Sequence, residues 1–162
     1  MTQLPRIGLG IDMHRLSKGR PCVLGGVTFD CDVGPLGHSD GDAVLHAACD
    51  AVLGAAGLDD LGTLFSDGDD ENKGRDSAHF CREAMRQVKE RKMFVWSLDV
   101  VVETEAPKLM PQRQAMRARI AELFELDADR VNLKGKTGEK VDAVGRGEAV
   151  RATVVALLGT NG

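Results

Sequence analysis

The sequence predicts one α+β domain built around a single sheet, and three observations support this class. A chain of 162 residues can form one domain with a substantial core but is short for two. Segments rich in β-branched residues alternate only loosely with segments of helical composition. Several connections resemble hairpins rather than long crossovers. We therefore expect one domain over residues 1–162, with a single sheet and helices packed on one face.

The first third of the chain predicts a strand, a hairpin and a helix. Arg6 to Asp12 alternates in hydropathy, as a strand does. Pro21 to Asp32 predicts a hairpin, because Gly25-Gly26 separates two short β-forming runs. Asp40 to Ala56 has helical composition and is followed by Gly57, a typical helix end. The apolar face expected on this helix consists of Val44, Leu45, Ala48, Val52 and Leu53.

The rest of the chain predicts two more helices and three more strands. Helices are expected over Ser77–Lys92 and from Pro111 to about Phe124, where proline suits a first helical turn. Pro107 should end the strand before it. The remaining predictions, in order, are a polar loop over Asp59–Asp76, strands over Phe94–Thr104 and Val131–Lys136, a polar loop over Thr137–Arg146 and a closing strand over Glu148–Leu158.

Composition and charge exclude several classes of partner. The net charge is -4 and no run of lysine and arginine is long enough to form a basic stripe, which argues against nucleic acid or an anionic membrane. No apolar stretch approaches the roughly 20 residues that a membrane-spanning helix needs. The four cysteines are widely spaced without a C-x-x-C pair. We expect free thiols in a cytoplasmic protein.

Three of the four histidines lie in the first third of the chain, each near an aspartate. Asp12 and His14 are two residues apart, so in a strand both side chains point to one face. Asp42, His46 and Asp50 would share one face of a helix that begins near Asp40. One carboxylate and two imidazoles suit zinc, with the fourth position left for substrate. The alternative is that these residues are helix caps and exposed histidines.

These residues belong to a series of motifs that resembles 2-C-methyl-D-erythritol 2,4-cyclodiphosphate synthase. The series covers nearly the whole chain, and the motifs are specific in both residue type and order. They are Gly10-Ile11-Asp12-Met13-His14-Arg15, Gly25-Gly26-Val27, His38-Ser39-Asp40-Gly41-Asp42 with His46, Asp60-Leu61-Gly62, Phe65-Ser66-Asp67, Lys73-Gly74, Asp76-Ser77, Ala106-Pro107-Lys108 and Gly145-Arg146-Gly147-Glu148.

The resemblance implies a phosphorus–oxygen lyase of the non-mevalonate route to isoprenoids. Its substrate would be 4-diphosphocytidyl-2-C-methyl-D-erythritol 2-phosphate, whose 2-phosphate attacks the β-phosphorus and releases CMP. The family forms homotrimers with active sites between neighbouring chains. An anionic phosphate attacks an anionic diphosphate here, so positioning and charge neutralisation dominate the barrier.

The resemblance also assigns metal ligands and transition-state donors. Zn²⁺ or another divalent cation would bind Asp12, His14 and His46, and Mg²⁺ or Mn²⁺ on the substrate diphosphate would bind Glu139. His38 and Thr137 match the residues that stabilise the transition state. The substrate-binding set implied by the resemblance is Asp12, His14, His38, Ser39, Asp60, Leu61, Gly62, Phe65, Ser66, Asp67, Gly68, Asp69, Ala106, Pro107, Lys108, Leu109, Met110, Lys136, Thr137, Gly138, Glu139 and Arg146.

Within this set the segment from Asp60 to Asp69 matches the erythritol site, and Ala106 to Met110 matches the cytidine pocket. Lys136 departs from a threonine-rich run that is common in the family. Arg146 matches the cation of an axial cavity that holds isoprenoid diphosphates, but the aromatic residue common near Ala143 is absent, which weakens that assignment.

Several interpretations remain open at this stage. We read Asp42 and Asp50 as residues that orient the ring of His46, and Ser39 as a binding residue, a helix cap or both. A metal-dependent phosphohydrolase on the same scaffold would use zinc-activated water and give a linear product. A non-catalytic trimer that senses isoprenoid diphosphates would have no use for a complete metal set.

Overall fold

The computed structural model describes residues 4–37, 39–65 and 76–160 and confirms the α+β class. Among these residues, no helix combines the length and the apolar character that crossing a bilayer requires. The strands are β1 (Arg6–Lys18), β2 (Cys22–Leu24), β3 (Val27–Phe29), β4 (Val33–Pro35), β5 (Met93–Glu103), β6 (Val131–Lys136) and β7 (Ala149–Thr160). The α-helices in the described ranges are α1 (Ala43–Ala56), α2 (Leu61–Leu64), α3 (Ser77–Glu90), α4 (Arg113–Phe124) and α5 (Asp142–Gly145), and two 3₁₀ turns span Met110–Gln112 and Ala128–Arg130.

Five strands form a mixed sheet in the order β4-β1-β7-β5-β6. Neighbours are antiparallel except β5 and β6, which are parallel. The predicted hairpin of β2 and β3 does form, but as a separate two-stranded sheet rather than as part of a single one. Gly25 and Gly26 both have positive φ, +61° and +71°, as a tight hairpin turn of two central residues requires.

Helix α1 packs directly on β1, and glycine makes this contact possible. A Cβ atom at Gly10 would lie 1.8 Å from the carbonyl oxygen of Ala47, and one at Gly8 would lie 1.9 Å from that of Ala51. Only residues without a side chain fit such an approach. The later glycine of the strand faces the earlier alanine of the helix, so β1 and α1 run antiparallel. The first turn of α1 therefore lies over the part of β1 that follows Gly10.

Helices cover one face of the five-stranded sheet, while the other face is open. Alternate side chains of β1 point away from α1 and expose 48–71% of their surface. The strand pairs on this face with β7, whose Val155 is also 42% exposed and lies opposite Leu9. A contiguous apolar patch of this kind on a sheet is unusual for a monomer. The exposed residues of β1 are Ile7, Leu9, Ile11 and Met13.

Element boundaries differ from the sequence-based expectation in several places. Strand β1 extends beyond Asp12 because it pairs with β7 and then with β4, a three-residue strand that the pattern did not predict. Helix α1 begins at Ala43 rather than near Asp40, and almost all of it is buried rather than one face. The predicted polar loops contain the four-residue helices α2 and α5, while residues 66–75 of the first loop lie outside the described residues.

Candidate metal centre and substrate site

Asp12, His14 and His46 come together at the end of the sheet where α1 begins. The Asp12 Oδ2 atom lies 2.8 Å from His14 Nε2 and 3.2 Å from His46 Nδ1, and the two nitrogens are 3.4 Å apart. Zinc ligands about 2.0–2.1 Å from the ion at tetrahedral angles are roughly 3.3 Å from one another. These distances fit a divalent ion bound by three protein ligands, and the partial exposure of the side chains leaves a fourth position open to another ligand.

The ring of His14 is oriented by the main chain. Its Nδ1 atom lies 2.7 Å from the carbonyl oxygen of Leu36, which can only accept a hydrogen bond. Nδ1 therefore carries the proton, and the lone pair of Nε2 points towards the candidate ion. This is the arrangement in which a histidine serves as a neutral metal ligand.

The ring of His46 is held by two hydroxyl groups. Its Nε2 atom lies 2.9 Å from the Ser77 hydroxyl and 3.3 Å from the Ser39 hydroxyl, while Nδ1 faces Asp12. Ser39 also accepts a hydrogen bond from the amide of Gly41, so its hydroxyl belongs to a turn and is not the cap of α1.

The carboxylates of Asp42 and Asp50 accept hydrogen bonds from main-chain amides, so the prediction that they orient the ring of His46 was wrong. Asp42 is fully buried and caps α1: its carboxylate accepts hydrogen bonds from four main-chain amides, those of Gly25, Gly26, Val44 and Leu45. Burial raises the pKa of Asp42, and the amides of Gly26, Gly25 and Leu45 oppose that effect. The carboxylate thus ties the β2–β3 turn to the start of α1.

Asp50 holds the segment that is expected to bind the erythritol. Its carboxylate accepts a hydrogen bond of 2.8 Å from the amide of Leu61, the first residue of α2. Asp60 caps the same helix by accepting from the amide of Thr63 at 2.8 Å. Asp60 and Gly62 are exposed, so the predicted diol-binding groups of this turn are accessible.

Phe65 places this segment beside the group of Asp12, His14 and His46, called the metal set below. Its ring packs edge-on against Phe80 with a centroid distance of 4.9 Å, and Phe80 packs against His46 at 5.9 Å. The other predicted residues of this loop, Ser66, Asp67, Gly68 and Asp69, lie outside the described residues, as does His38.

Electrostatics keep the Asp12 carboxylate of the metal set ionised and strengthen proton binding at His14. Burial would raise the pKa of Asp12, but hydrogen bonds from His14 and His46 hold the pKa of this carboxyl well below its usual range. Burial would lower the pKa of His14, but the Asp12 carboxylate and the Leu36 carbonyl outweigh it and raise the pKa. Asp12 therefore stays anionic at neutral pH.

A second cluster lies in the loop after β6. The hydroxyl of Thr137 donates to the Glu139 carboxylate at 2.9 Å, and both side chains are exposed. The amide of Gly138 donates to Glu105 at 2.8 Å, which ties this loop to the segment after β5. Lys136 is exposed, and its carbonyl oxygen accepts from the amide of Thr104 at 2.9 Å.

The predicted cytidine segment, Ala106 to Met110, directly follows β5. Lys108 and Met110 are exposed, whereas Leu109 is buried and packs beside Gly135 on β6. The buried leucine anchors the segment and leaves the neighbouring groups accessible.

Sheet register relates the metal set to these two segments. Asp12 lies opposite Ala152, Ala152 opposite Val102, and Val102 beside Gly135, so the four residues form one row across the sheet. At the usual strand spacing, the backbone of Asp12 is about 10 Å from that of Val102 and about 14 Å from that of Gly135. The metal set, the cytidine segment and the Thr137 loop thus lie at the same end of the sheet.

Arg146 directly follows α5, whose last residue, Gly145, packs against Gly138 of the Thr137 loop. It is exposed, and its guanidinium contacts the Glu148 carboxylate at 3.1 and 3.2 Å. Glu148 raises the pKa of Arg146 further above its ordinary value, so the cation of the expected axial site is already paired with a carboxylate.

Four groups of this arrangement were not singled out by sequence reasoning. Ser77 and Asp40 support the ring of His46, the carbonyl of Leu36 orients His14, and Glu105 holds the loop of Thr137. Asp40 and Ser77 occur within the motifs named above, but nothing in their spacing indicates that they touch.

Comparison with known proteins agrees with the resemblance that the motifs indicated. The YgbB family model matches residues 5–159. Two curated relatives named 2-C-methyl-D-erythritol 2,4-cyclodiphosphate synthase come from Laribacter hongkongensis and Rhodopirellula baltica. They are 50% and 46% identical to this chain over 153 residues, which is 94% of this chain and 94% and 92% of theirs.

Solved structures give the same result. A structure of 2C-methyl-D-erythritol-2,4-cyclodiphosphate synthase in a CDP-bound form is 44% identical, with a TM-score of 0.87, over 94% of this chain and 99% of that chain. The bifunctional IspDF from Campylobacter jejuni matches with a TM-score of 0.93 and 35% identity over 98% of this chain. This chain spans only 43% of that longer protein. The resemblance drawn from the motifs is confirmed.

Proposed function

The chain belongs to the YgbB family, and we propose that it converts 4-diphosphocytidyl-2-C-methyl-D-erythritol 2-phosphate to 2-C-methyl-D-erythritol 2,4-cyclodiphosphate and CMP. The observation that carries this proposal is the Asp12, His14 and His46 group, whose ligand atoms have the spacing of a tetrahedral zinc site. The group occurs in a chain whose curated relatives are named for this cyclisation.

In the proposed reaction an oxygen of the 2-phosphate attacks the β-phosphorus. A new phosphorus–oxygen bond closes the ring, and the bond from the β-phosphorus to the oxygen shared with the α-phosphate breaks as CMP leaves. A divalent ion held by the metal set would neutralise phosphate charge and fix its position. No covalent nucleophile is required, which agrees with the binding role that we give to Ser39.

The remaining residues position and stabilise the phosphates. We propose that Thr137 and His38 donate to phosphate oxygens as charge shifts during the attack. Glu139 is exposed beside Thr137, and its carboxylate would bind a Mg²⁺ or Mn²⁺ ion that accompanies the diphosphate. Lys136, at the start of the same loop, would add a cation near these phosphates.

We propose that the nucleotide lies on the segment after β5. Two solved relatives, one of them from Plasmodium falciparum, are CDP complexes. In this chain Ala106 to Met110 presents main-chain groups and the exposed cation of Lys108, while Leu109 anchors the segment. The exposed turn from Asp60 to Gly62 would hold the erythritol diol.

The open apolar face of the sheet supports a homotrimer with shared active sites. Burying Ile7, Leu9, Ile11 and Met13 between copies would remove from water a patch too apolar for a free surface. Asp12 and Gly135 are separated by about 14 Å within one chain. We propose that a metal set of one subunit works with the Thr137 loop and cytidine segment of its neighbour.

Phosphorus NMR tests the proposed reaction. The purified protein, incubated with the cytidyl substrate, Zn²⁺ and Mg²⁺, should give CMP and a cyclic diphosphate in equal amounts. A phosphohydrolase that uses metal-bound water would instead give a linear phosphate product. Absence of the cyclic product, with substrate consumed, would refute the proposed function.

A further inference from the structure

We infer that Asp40 and Ser77 are positioning residues that set the tautomer of His46 for metal binding. The two residues form a chain of hydrogen bonds that ends at the Nε2 atom of this ring. The inference rests on the proposed metal site and goes beyond it, because neither residue contacts the ion or the substrate in that proposal.

The direction of each hydrogen bond follows from the chemistry of the groups. An ionised carboxylate can only accept, so the hydroxyl of Ser77 donates its proton to Asp40. The hydroxyl oxygen then has only lone pairs left for its second partner, His46 Nε2, at 2.9 Å. Because this contact is shorter than the one to the Ser39 hydroxyl at 3.3 Å, it makes Nε2 the donor, and the Ser39 oxygen can accept the same proton.

The carboxylate of Asp40 is itself held in place. Its Oδ2 atom accepts from the amide of Ser77 at 3.0 Å, and its Oδ1 atom accepts from the amide of Asp42 at 3.1 Å as well as from the Ser77 hydroxyl. Ser77 is fully buried, so its hydroxyl has no water to use as an alternative partner. The network is connected throughout and has a single direction.

This direction matters because Asp12 favours the wrong tautomer. The Asp12 carboxylate lies 3.2 Å from His46 Nδ1 and would stabilise a proton there, which would remove the lone pair that the metal needs. The network of Asp40 and Ser77 opposes this by requiring the proton on Nε2. His14 needs no such device, since the carbonyl of Leu36 already holds its proton on the outer nitrogen.

The first test measures zinc affinity by competition with a chromophoric chelator. Ser77→Ala and Asp40→Asn should each weaken zinc binding about 10–100-fold, the range for removing a partner of a metal-ligating histidine. Ser77→Thr, which keeps the hydroxyl, should restore most of the affinity. Asp76→Asn is the matched control, because Asp76 caps the same helix by accepting from Ala78 and does not contact His46.

The second test reads the tautomer directly in the metal-free protein. Long-range ¹H–¹⁵N NMR of the His46 ring should show the proton on Nε2 in the wild type and a shift towards Nδ1 in Asp40→Asn. An amide group can donate to the Ser77 hydroxyl and so reverse the bond direction. A purely structural role for Asp40 would leave this signature unchanged.

The outcomes separate this inference from the proposed metal site. Wild-type affinity in both Ser77→Ala and Asp40→Asn would overturn the positioning role while leaving the site intact. An equal loss of affinity in Asp76→Asn would also overturn it, because the effect would then come from the start of α3. A wild type that binds no zinc would overturn both. Thermal unfolding of the metal-free variants shows whether each remains folded.

Discussion

The metal side and the phosphate side of the proposed site are built differently. Asp12, His14 and His46 are partly buried and contact one another, and each histidine ring has a second partner that fixes it. Thr137 and Glu139 are exposed, and their side chains contact each other. The metal ligands are thus already assembled within a single chain, whereas Thr137 and Glu139 are free to contact substrate or a neighbouring subunit.

The difference lies in what surrounds the two halves. The metal set lies in the contact between β1 and α1, where close packing fixes side-chain positions. In the Thr137 loop it is the backbone that is held in place, because the Gly138 amide donates a hydrogen bond to Glu105. Glu139 and Lys140 next to it have positive φ, 49° and 59°. A fixed backbone with exposed side chains suits a surface that meets substrate or a neighbouring subunit.

The largest expected effect on activity comes from removing one ligand of the metal set. His46→Ala should abolish zinc binding and turnover, because a site with two protein ligands loses most of its affinity. Assembly should be retained, since His46 lies away from the open face of the sheet. Metal analysis and analytical ultracentrifugation measure the two results. Full zinc occupancy in this variant would show that His46 is not a ligand.

His79→Ala is the control for that variant. His79 lies on α3 and its ring packs against Phe65 and Phe80, outside the group of Asp12, His14 and His46. Zinc content should match that of the wild type.

A second prediction tests how much the close packing of α1 on β1, which positions the metal set, stabilises the fold. Gly10→Ala should lower the free energy of unfolding by about 3 kcal/mol, because the new Cβ would overlap the Ala47 carbonyl and push α1 from β1. Urea denaturation measures this change. Gly54→Ala is the matched control on the open side of α1, where no atom lies within 4 Å of the added Cβ. It should raise stability by about 0.5–1 kcal/mol.

The third prediction asks whether the exposed half works with the metal set of another chain. His14→Ala and Glu139→Ala should each be inactive alone. After subunit exchange in equal amounts, roughly a quarter of the sites in a shared arrangement would receive both intact halves. Turnover should therefore return in part. Mass spectrometry confirms mixing, and mixed trimers without any activity would mean that each chain holds its own complete site.

The smallest expected effect concerns the nucleotide segment. Lys108→Ala should raise KM about fivefold, corresponding to roughly 1 kcal/mol for one exposed ion pair, with little change in kcat. Binding far from the attacked phosphorus contributes about equally to ground state and transition state. Steady-state kinetics measure both constants, with Lys89→Ala on α3 as a distant control. A large fall in kcat at constant KM would place Lys108 in the chemical step.

Much of the metal set could be predicted because its signals are local. Asp12 and His14 share a face whenever their segment is a strand, and the motif series then identified the family and added His46. The reading of Asp42 failed because helical spacing describes residues inside a helix. Asp42 is the cap instead, and its carboxylate turns back to main-chain amides.

The support of His46 could not be predicted, because its contacts join distant parts of the chain. Ser77 touches a ring 31 residues earlier and a carboxylate 37 residues earlier. Helix and strand periodicity carry no information on such contacts, which arise only when α3 packs beside the start of α1. The same holds for Glu105, which accepts a hydrogen bond from the amide of Gly138 in the Thr137 loop, 33 residues later in the chain.

Hydropathy period, turn residues and motif order along the chain were enough to predict the longer helices and strands, the family and the types of metal ligand, but not the short elements β4, α2 and α5. Contacts between distant segments determine which nitrogen of each histidine faces the candidate ion, which carboxylates serve as caps, and which face of the sheet stays open. Those features depend on hydrogen-bond direction and close packing between segments, which arise only when α1 lies on β1 at the distance that Gly8 and Gly10 allow and α3 packs beside the start of α1.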